Sequence, residues 1–453
     1  MCCKVPNFIH IFAVRNKLCL RERATTMKKF IKYLLITLLA TVGILATVVV
    51  LVTTVFREEL VDFLSKSGQQ EQPKHFVSEI PVESAQFAED FESIHQQVVE
   101  HCSLYKQKGY DIDSLYTAFA DRIGRDVQTK TDYALMVCEY FAALNIGHAW
   151  TTIYAYSAGQ RVEVIEDRLF LSEPNDYLAS CGFCDKDEIV GINQMTTDEY
   201  VNRLKKYLPA STEAARIYNT RRWVLIDSFA DSTLVCDVLR NGERLSIEVP
   251  LKRKFSISAS NSQPTVTGKA LNEQVGYINI TSMMGNVVEE FEQAYEQMCE
   301  MPYLIVDVRN NGGGNSDNGR RIAEYLIRQE QAHCVYGTMT PQPNAYRGKL
   351  FLLTSPYTFS AAESFTIDLK ESGCATLVGE PTGGDTGNNP QGFRSKYGIE
   401  FRIPTREPQL SPQGFPMEGV GIEPHITIGQ TVEDYFADKD TVIEYILNEL
   451  IKN

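Results

Sequence analysis

Basic residues are scarce in this chain outside its first positions. The 453-residue sequence holds 44 Lys and Arg against 58 Asp and Glu, which gives a formal net charge of −14. Residues 1–32 contain eight of the basic residues and only one Glu, so the remainder of the chain is more acidic still. An acidic body argues against nucleic acid as a partner.

Sequence patterns for metals and cofactors are lacking as well. Cys181 and Cys184 form a single C-x-x-C pair, whereas structural zinc sites need further ligands at a matching spacing. The thioredoxin-like setting of a redox pair is also missing. We therefore expect no metal and no organic cofactor. Eight cysteines follow residue 56, which leaves one local disulfide and free thiols as alternatives.

One stretch near the N-terminus lacks charge altogether. Tyr33–Phe56 is 24 residues long, enough for a helix that crosses a bilayer. Residues 30–56 are therefore predicted to be a transmembrane signal anchor, with a cleaved signal peptide as the alternative.

Lysines set the predicted orientation of this anchor. Lys28, Lys29 and Lys32 precede the apolar run, and an excess of basic residues favours the cytoplasmic side. Residues 1–29 would then be cytoplasmic, and residues 57–83 would be a polar linker to an extracytoplasmic (periplasmic or extracellular) domain.

Two stretches later in the chain share one pattern. Tyr303–Asn315 reads as a buried strand that ends in three glycines, which allow backbone N–H groups to form an anion hole. Lys349–Phe365 reads as a strand, a turn and a helix, with Ser360 at the corner and the N–H of Ala361 beside it. Alternatively, Ser360 is only a helix cap, paired with Glu363 in a capping box.

These motifs resemble the serine peptidase family of C-terminal processing proteases and the tricorn core protease. The similarity lies in Asp307–Gly314, Ser360–Glu363, the G-E-P-T-G-G segment at 379–384 and Glu418–Pro424, and it covers about residues 84–450. The resemblance implies Ser360 as nucleophile, with an oxyanion hole formed by the N–H groups of Gly313, or Gly312, and Ala361. It also implies Glu418 as the residue that orients the base.

The base is the point where members of this family differ. Tricorn-like members carry a His in a short turn that leads into a strand, as His148 does after Gly147. Their relay Ser would stand at Gly147, so Glu418 must reach His148 directly or through water. Members with a Ser–Lys dyad carry Lys where this chain has Asp385, and the nearest following lysine is Lys396. We therefore predict His148 as the base.

The fold class predicted from pattern and resemblance is α/β. Helical periodicity over residues 84–156 indicates an N-terminal helical bundle, and alternation over residues 160–251 indicates a diverged PDZ-like domain. Strands that alternate with helices over residues 272–453 indicate a crotonase/ClpP-like catalytic core. Within it, Lys396–Ile403 is predicted to be a half-exposed strand and Asp440–Ile451 a closing helix.

The sequence therefore predicts a membrane-anchored serine endopeptidase that acts on protein or peptide substrates outside the cytoplasm. One alternative is a non-catalytic protein that binds apolar ligands or peptides, as modules of the interphotoreceptor retinoid-binding protein do on this fold. Another is an esterase or amidase that uses the same serine. The natural substrate and its cleavage site stay open, and an oligomer is allowed.

Overall fold

The computed structural model describes residues 82–151, 156–225, 233–253, 264–407 and 410–451. The predicted anchor at residues 30–56 and most of the linker at residues 57–83 lie outside these ranges. Within them, every helix is too short or too polar to cross a membrane.

Helices form the first part of the described chain. They are α1 (Phe87–His101), α2 (Ile112–Ala120) and α3 (Lys130–Ala143). Helix α3 begins at a capping box in which Thr129 and Asp132 bond each other's backbone. The apolar core of these helices is shared with the predicted catalytic core at residues 272–453 (the catalytic part), because Phe401 and Ile403 pack into it.

Short strands follow, and the largest sheet among them is antiparallel. Its strand order is β3-β4-β5-β7-β8, with β6 paired to β5, and it lies within residues 160–251, where the sequence pattern alternates. The strand bounds in this region are β1 Trp150–Thr151, β2 Tyr156–Ser157, β3 Glu163–Ile165, β4 Arg168–Leu171, β5 Asp187–Ile192, β6 Met195–Thr196, β7 Thr233–Arg240, β8 Glu243–Pro250 and β9 Lys252–Arg253. The intervening helices are α4 Asp176–Cys181, α5 Thr197–Leu204 and α6 Glu213–Arg222.

A second six-stranded sheet forms the catalytic part, in the order β10-β11-β12-β15-β16-β19. Its first pair is antiparallel and the others are parallel. The bounds are β10 Val266–Ala270, β11 Val275–Ile280, β12 Tyr303–Asp307, β15 Lys349–Thr354, β16 Ala375–Gly379 and β19 Ile426–Thr427, with β13 Gln331–Ala332 and β14 Thr338–Met339 as a separate hairpin. The helices are α7 Val287–Glu296, α8 Ser316–Ala323, α9 Ala361–Glu371, α10 Val432–Phe436 and α11 Thr441–Tyr445. This confirms the predicted α/β core, whose central strands are buried on both faces.

A third sheet connects the helical part to the catalytic part. Strand β17 (Pro390–Arg394) forms a hairpin with β18 (Glu400–Pro404), and β18 also pairs with β1 directly after His148. The predicted strand Lys396–Ile403 is therefore half wrong: its first residues form the hairpin turn, where Ser395 Oγ accepts the N–H groups of Gly398 and Ile399.

The structure also describes the C-terminal helix and the state of the cysteines. The predicted closing helix is present as α11, which continues as a π-helical turn over Ile446–Leu450. The eight cysteines after residue 56 form no disulfide within the described structure, so the disulfide alternative is not realised there.

Candidate active site

Ser360 occupies a strained corner between β15 and α9. Its φ of 59° and ψ of −125° place it in a region that residues other than glycine rarely adopt. Its side chain makes no capping hydrogen bond. The capping-box alternative therefore fails, because Glu363 binds a different loop. A strained turn that lifts a hydroxyl away from the helix is the geometry of a nucleophile elbow.

His148 lies against this hydroxyl. Its Nε2 is 3.1 Å from Ser360 Oγ, and its ring stacks on Phe359 with centroids 4.6 Å apart. The ring is almost fully buried. The structure thus brings together the predicted nucleophile and base from parts of the chain that are 212 residues apart.

The carboxylate partner of His148 is Asp385. Its Oδ1 lies 2.5 Å from His148 Nδ1 and also accepts the N–H of Gly387 at 2.9 Å. Asp385 is fully buried. Burial opposes its ionisation, but the interactions with His148, Ser211 and Gly387 outweigh burial and lower the pKa of Asp385. The prediction that Glu418 contacts His148 is therefore wrong, since Asp385 occupies that place.

The hydroxyl that is missing at Gly147 comes from another element. Ser211 Oγ donates to Asp385 Oδ2 at 2.7 Å and accepts the N–H of Gly147 at 3.0 Å. Residue 147 must be glycine here, because a Cβ would overlap Asp385 Oδ2. Sequence reasoning missed Ser211, since it lies just before the N-cap of α6 and carries no motif.

Glu418 lies behind Asp385 instead of beside the base. Its side chain is 2% exposed, and one carboxyl oxygen lies 3.0 Å from Lys108 Nζ. Burial and then the charge of Asp385 raise the pKa of Glu418 to about 8, against the opposing effects of Lys108 and Ser211. Among the described residues, Glu418 therefore neighbours Lys108 and Asp385 and does not contact His148.

Glu363 fixes the loop that carries Asp385. Its carboxylate accepts the hydroxyl of Thr382 at 2.5 Å and the N–H groups of Gly384 and Asp385 at 2.7 Å each. In return, the N–H of Ser360 donates to the carbonyl of Asp385 at 2.9 Å. Burial raises the pKa of Glu363 to about 7, although these hydrogen bonds oppose the rise. The nucleophile corner and the acid loop are thus locked to each other.

The predicted oxyanion donors are only partly available. The N–H of Ala361 has no acceptor among the described residues, whereas the N–H of Gly313 donates to Asn311 Oδ1 at 2.9 Å. Gly313 instead allows its turn to pass close to Ser360, since a Cβ there would lie 2.6 Å from Ser360 Cβ. Gly312 is next to the hydroxyl of Tyr357. Gly314 borders the same cavity as Ser360, and its N–H has no acceptor in the part of the chain described.

A cavity of about 260 Å³ opens beside Ser360. Gly314, Tyr336 and Asn388 contribute to its wall, together with Arg402 and Arg406. It is the space in which a substrate would meet the nucleophile.

The alternative bases lie elsewhere. Lys396 is exposed and forms an ion pair with Glu89 of α1. His425, which follows the last motif, accepts the N–H of Leu377 through Nδ1 and is exposed at the sheet edge.

A buried cluster of His333, Cys334 and Asp368 has metal-binding residue types, with ligand atoms within 4.8 Å of one another. His333 Nδ1, however, accepts the N–H groups of Val335 and Tyr336 at 3.0 and 3.1 Å. A neutral ring then carries its proton on Nε2, the nitrogen that faces Asp368 at 3.3 Å. The residues therefore do not suit a metal ion.

Comparison with known proteins agrees with this architecture. The model of peptidase family S41 matches residues 274–428, and the model of the N-terminal domain of Bacteroidetes S41 peptidases matches residues 164–251. Tricorn protease of Thermoplasma acidophilum is 32% identical over 182 residues, which cover 39% of this chain and 17% of that protein. Carboxy-terminal processing protease CtpB of Bacillus subtilis is 28% identical over 200 residues, which cover 42% of this chain and 39% of CtpB.

These matches span less than half the length of either relative. Among solved structures, mature CPAF superposes with a TM-score of 0.68 at 14% identity, over 82% of this chain and 98% of that chain. At this identity the likeness shows a shared fold and nothing finer.

Proposed function

The chain belongs to peptidase family S41, and from this premise we propose that it is a serine endopeptidase that cleaves protein or peptide substrates. The observation that carries the proposal is the continuous chain of hydrogen bonds from Ser360 through His148 to Asp385. A nucleophile, a base and an orienting acid in contact are the requirements for acyl transfer.

The proposed reaction starts at the Ser360 hydroxyl. His148 Nε2 takes its proton as the oxygen attacks the substrate carbonyl, and the same nitrogen then protonates the leaving amine. Asp385 holds the ring with Nδ1 protonated and stabilises the imidazolium that forms. Water then releases the acyl group from Ser360 by the same steps.

Backbone N–H groups would stabilise the charge that develops on the substrate oxygen. Ala361 stands at the N-terminus of α9, where the helix dipole favours an anion. We propose Gly314 as its partner in place of Gly313, because the N–H of Gly313 is already bound to Asn311.

Reaction with a fluorophosphonate probe tests the proposal. The full chain should be labelled at Ser360 and should hydrolyse an unfolded protein, whereas Ser360→Ala should do neither. A folded protein without labelling or hydrolysis would favour the non-catalytic binding alternative. Hydrolysis of esters or small amides alone would favour an esterase or amidase.

We also propose that residues 30–56 anchor the protein in a membrane with residues 57–453 outside the cytoplasm. The support is the charge-free run Tyr33–Phe56 and the three lysines before it. Alkaline phosphatase fused after Lys66 should be active. An active cytoplasmic reporter at the same point, with inactive alkaline phosphatase, would refute the orientation.

The PDZ-like interpretation of residues 160–251 is a further part of the proposal. Its support is the antiparallel sheet β3-β4-β5-β7-β8 and the alternating, strand-like sequence of these residues. Such a domain would bind a substrate peptide by strand addition. Loss of peptide binding after deletion of an edge strand, with the catalytic part still labelled, would be the expected result.

A further inference from the structure

The cavity beside Ser360 has basic residues and, among the residues described, no acidic ones. Two arginines, Arg402 and Arg406, line it, in a chain whose net charge is −14. Acidic residues outnumber basic ones in this chain, so a cavity whose only charged lining residues are two arginines differs in charge from the protein as a whole.

The neighbouring arginine on the same hairpin behaves differently. Arg394 of β17 forms an ion pair with Glu400 of β18. Neither Arg402 nor Arg406 has a carboxylate partner within the described residues. Arg402 instead donates to the carbonyl of Pro390 at 3.1 Å and lies over the ring of Trp150 at 5.8 Å.

A buried amide completes this wall. Asn388 borders the cavity, and its Nδ2 is buried without a hydrogen-bond acceptor in the described structure. Asn388 is thus part of the wall, and the cationic N–H donors that line the cavity are those of Arg402 and Arg406.

The backbone holds these donors in place. The carbonyl of Asn388 accepts the N–H groups of Thr405 and Arg406 at 3.2 and 3.0 Å. The carbonyl of Arg406 in turn accepts the hydroxyl of Ser103 at 2.5 Å. The main chain that carries Asn388 and Arg406 is therefore held in place by these hydrogen bonds.

We propose that this cavity binds a carboxylate of the substrate close to the scissile bond. The proposal rests on the proposed peptidase function and adds the substrate class. A carboxylate accepts charge-assisted hydrogen bonds from guanidinium groups. The volume of about 260 Å³ is below that of ordinary ligand pockets, so it suits one side chain or chain end. An acidic side chain and a terminal carboxylate share this chemistry.

The experiment uses the full chain and a matched set of fluorogenic peptides. One pair differs by Glu or Gln at the residues that flank the cleaved bond, and another pair differs by a free or amidated C-terminus. Loss of a charged hydrogen bond predicts a preference on the order of tenfold in kcat/KM for the charged member. A preference in the first pair assigns the cavity to an acidic side chain, and one in the second pair alone assigns it to the terminal carboxylate.

Variants then assign the preference to the arginines. Arg406→Gln should remove most of it, measured as the ratio of kcat/KM within each peptide pair, while circular dichroism stays close to wild type. Arg402→Gln should act in the same direction and serves as the second variant. Arg394→Gln is the matched control, because its side chain is paired with Glu400 on the same hairpin, and it should keep the preference.

The outcomes separate the two proposals. Equal kcat/KM for both members of both pairs, in an enzyme that does hydrolyse them, would overturn the carboxylate site and leave the peptidase function intact. A preference that Arg406→Gln and Arg402→Gln both retain would also overturn it. A protein that hydrolyses none of the peptides and resists the fluorophosphonate probe would refute both.

Discussion

The Ser211 hydroxyl donates a 2.7 Å hydrogen bond to Asp385 Oδ2, the carboxylate oxygen that His148 does not contact. The acid is thereby bound on both oxygens, by the base on one and by a hydroxyl on the other. Ser211 lies in the segment before α6, and the same hydroxyl also accepts the N–H of Gly147. Because Asp385 and Ser211, and not Glu418, follow His148 in this hydrogen-bond chain, the effects expected of mutations differ from those that the sequence motif suggests.

The first prediction concerns Asp385. Asp385→Asn keeps the shape of the side chain but removes the charge that stabilises the His148 imidazolium, and it favours the wrong ring tautomer. We expect kcat/KM to fall on the order of a thousandfold or more. The measurement is hydrolysis of a fluorogenic peptide, with circular dichroism as the check of the fold.

The matched variant for this test is Glu418→Gln. Glu418 pairs with Lys108 and lies behind the acid, so its loss should reduce kcat/KM far less than Asp385→Asn does. The reverse order of effects would return the role of orienting acid to Glu418 and contradict the geometry described above.

The second prediction concerns Ser211 as a positioning residue. Ser211→Ala removes a hydrogen bond to a charged group, so we expect kcat to fall on the order of tenfold. Because Ser211 is one of the groups that lower the pKa of Asp385, the acid side of the pH profile should move to higher pH. Ser211→Thr, which restores a hydroxyl, should recover much of the activity. A lower rate with an unshifted profile and no rescue would mean that Ser211 is only structural.

The nucleophile and the base could be predicted because each stands in a short local motif that resembles the corresponding motif of the family. Ser360 follows an apolar strand and opens a helix, and His148 stands in a turn between a helix and a strand. The α/β core was predictable for the same reason, since its strands are short apolar runs between turn residues.

The acid and its hydroxyl were not predictable from local pattern. Asp385 was identified only as a residue in the place of a lysine, and its contact with His148 depends on the loop that Glu363 holds. Ser211 lies 174 residues from Asp385, so only the folded chain reveals their contact. Glu418 lies in a segment that resembles the family more clearly than the segment of Asp385 does. In the folded chain, however, Glu418 contacts Lys108, and Asp385 is the residue that contacts His148.

The third prediction concerns Gly147. The sequence alone marks this residue as an absent relay serine, which suggests that a serine there would be harmless or useful. The structure predicts the opposite: a Cβ would overlap Asp385 Oδ2 and press on the ring of Phe359. Gly147→Ser and Gly147→Ala should therefore both lower kcat/KM, on the order of a hundredfold, since small displacements of catalytic groups have effects of this size. Activity at the wild-type level in either variant would show that the close approach is not required.

Lys396→Ala is the matched control for changes around the base. Its side chain is exposed and paired with Glu89, and it occupies the hairpin turn next to β18. We expect peptidase activity close to wild type in Lys396→Ala and almost none in His148→Ala. Comparable losses in both variants would restore a displaced Ser–Lys dyad as the catalytic pair.

The fourth prediction concerns stability and a carboxyl group that the mechanism does not use. Asp368 of α9 is buried beside His333 and Cys334. Burial is the main reason that its pKa rises to about 8, and the hydrogen bonds from Cys334 oppose this rise. Burial also lowers the pKa of His333 to about 4. Both side chains are therefore uncharged in the folded protein between these two values.

The direction of the pH effect follows from proton binding. In the unfolded chain Asp368 releases its proton near pH 4, whereas in the folded chain it keeps the proton until about pH 8. The folded state therefore binds more protons than the unfolded state between these pH values, and stability contributed by Asp368 is lost as the pH rises. Asp368→Asn has no proton to release at this position and should not lose this stability. The free energy of unfolding of Asp368→Asn minus that of wild type should therefore increase between pH 5 and pH 8, by about 1 kcal/mol or more. Urea unfolding at the two pH values measures this difference, with Glu273→Gln in an exposed turn as the control. A difference between Asp368→Asn and wild type that is the same at both pH values would show that Asp368 is ionised in the folded protein.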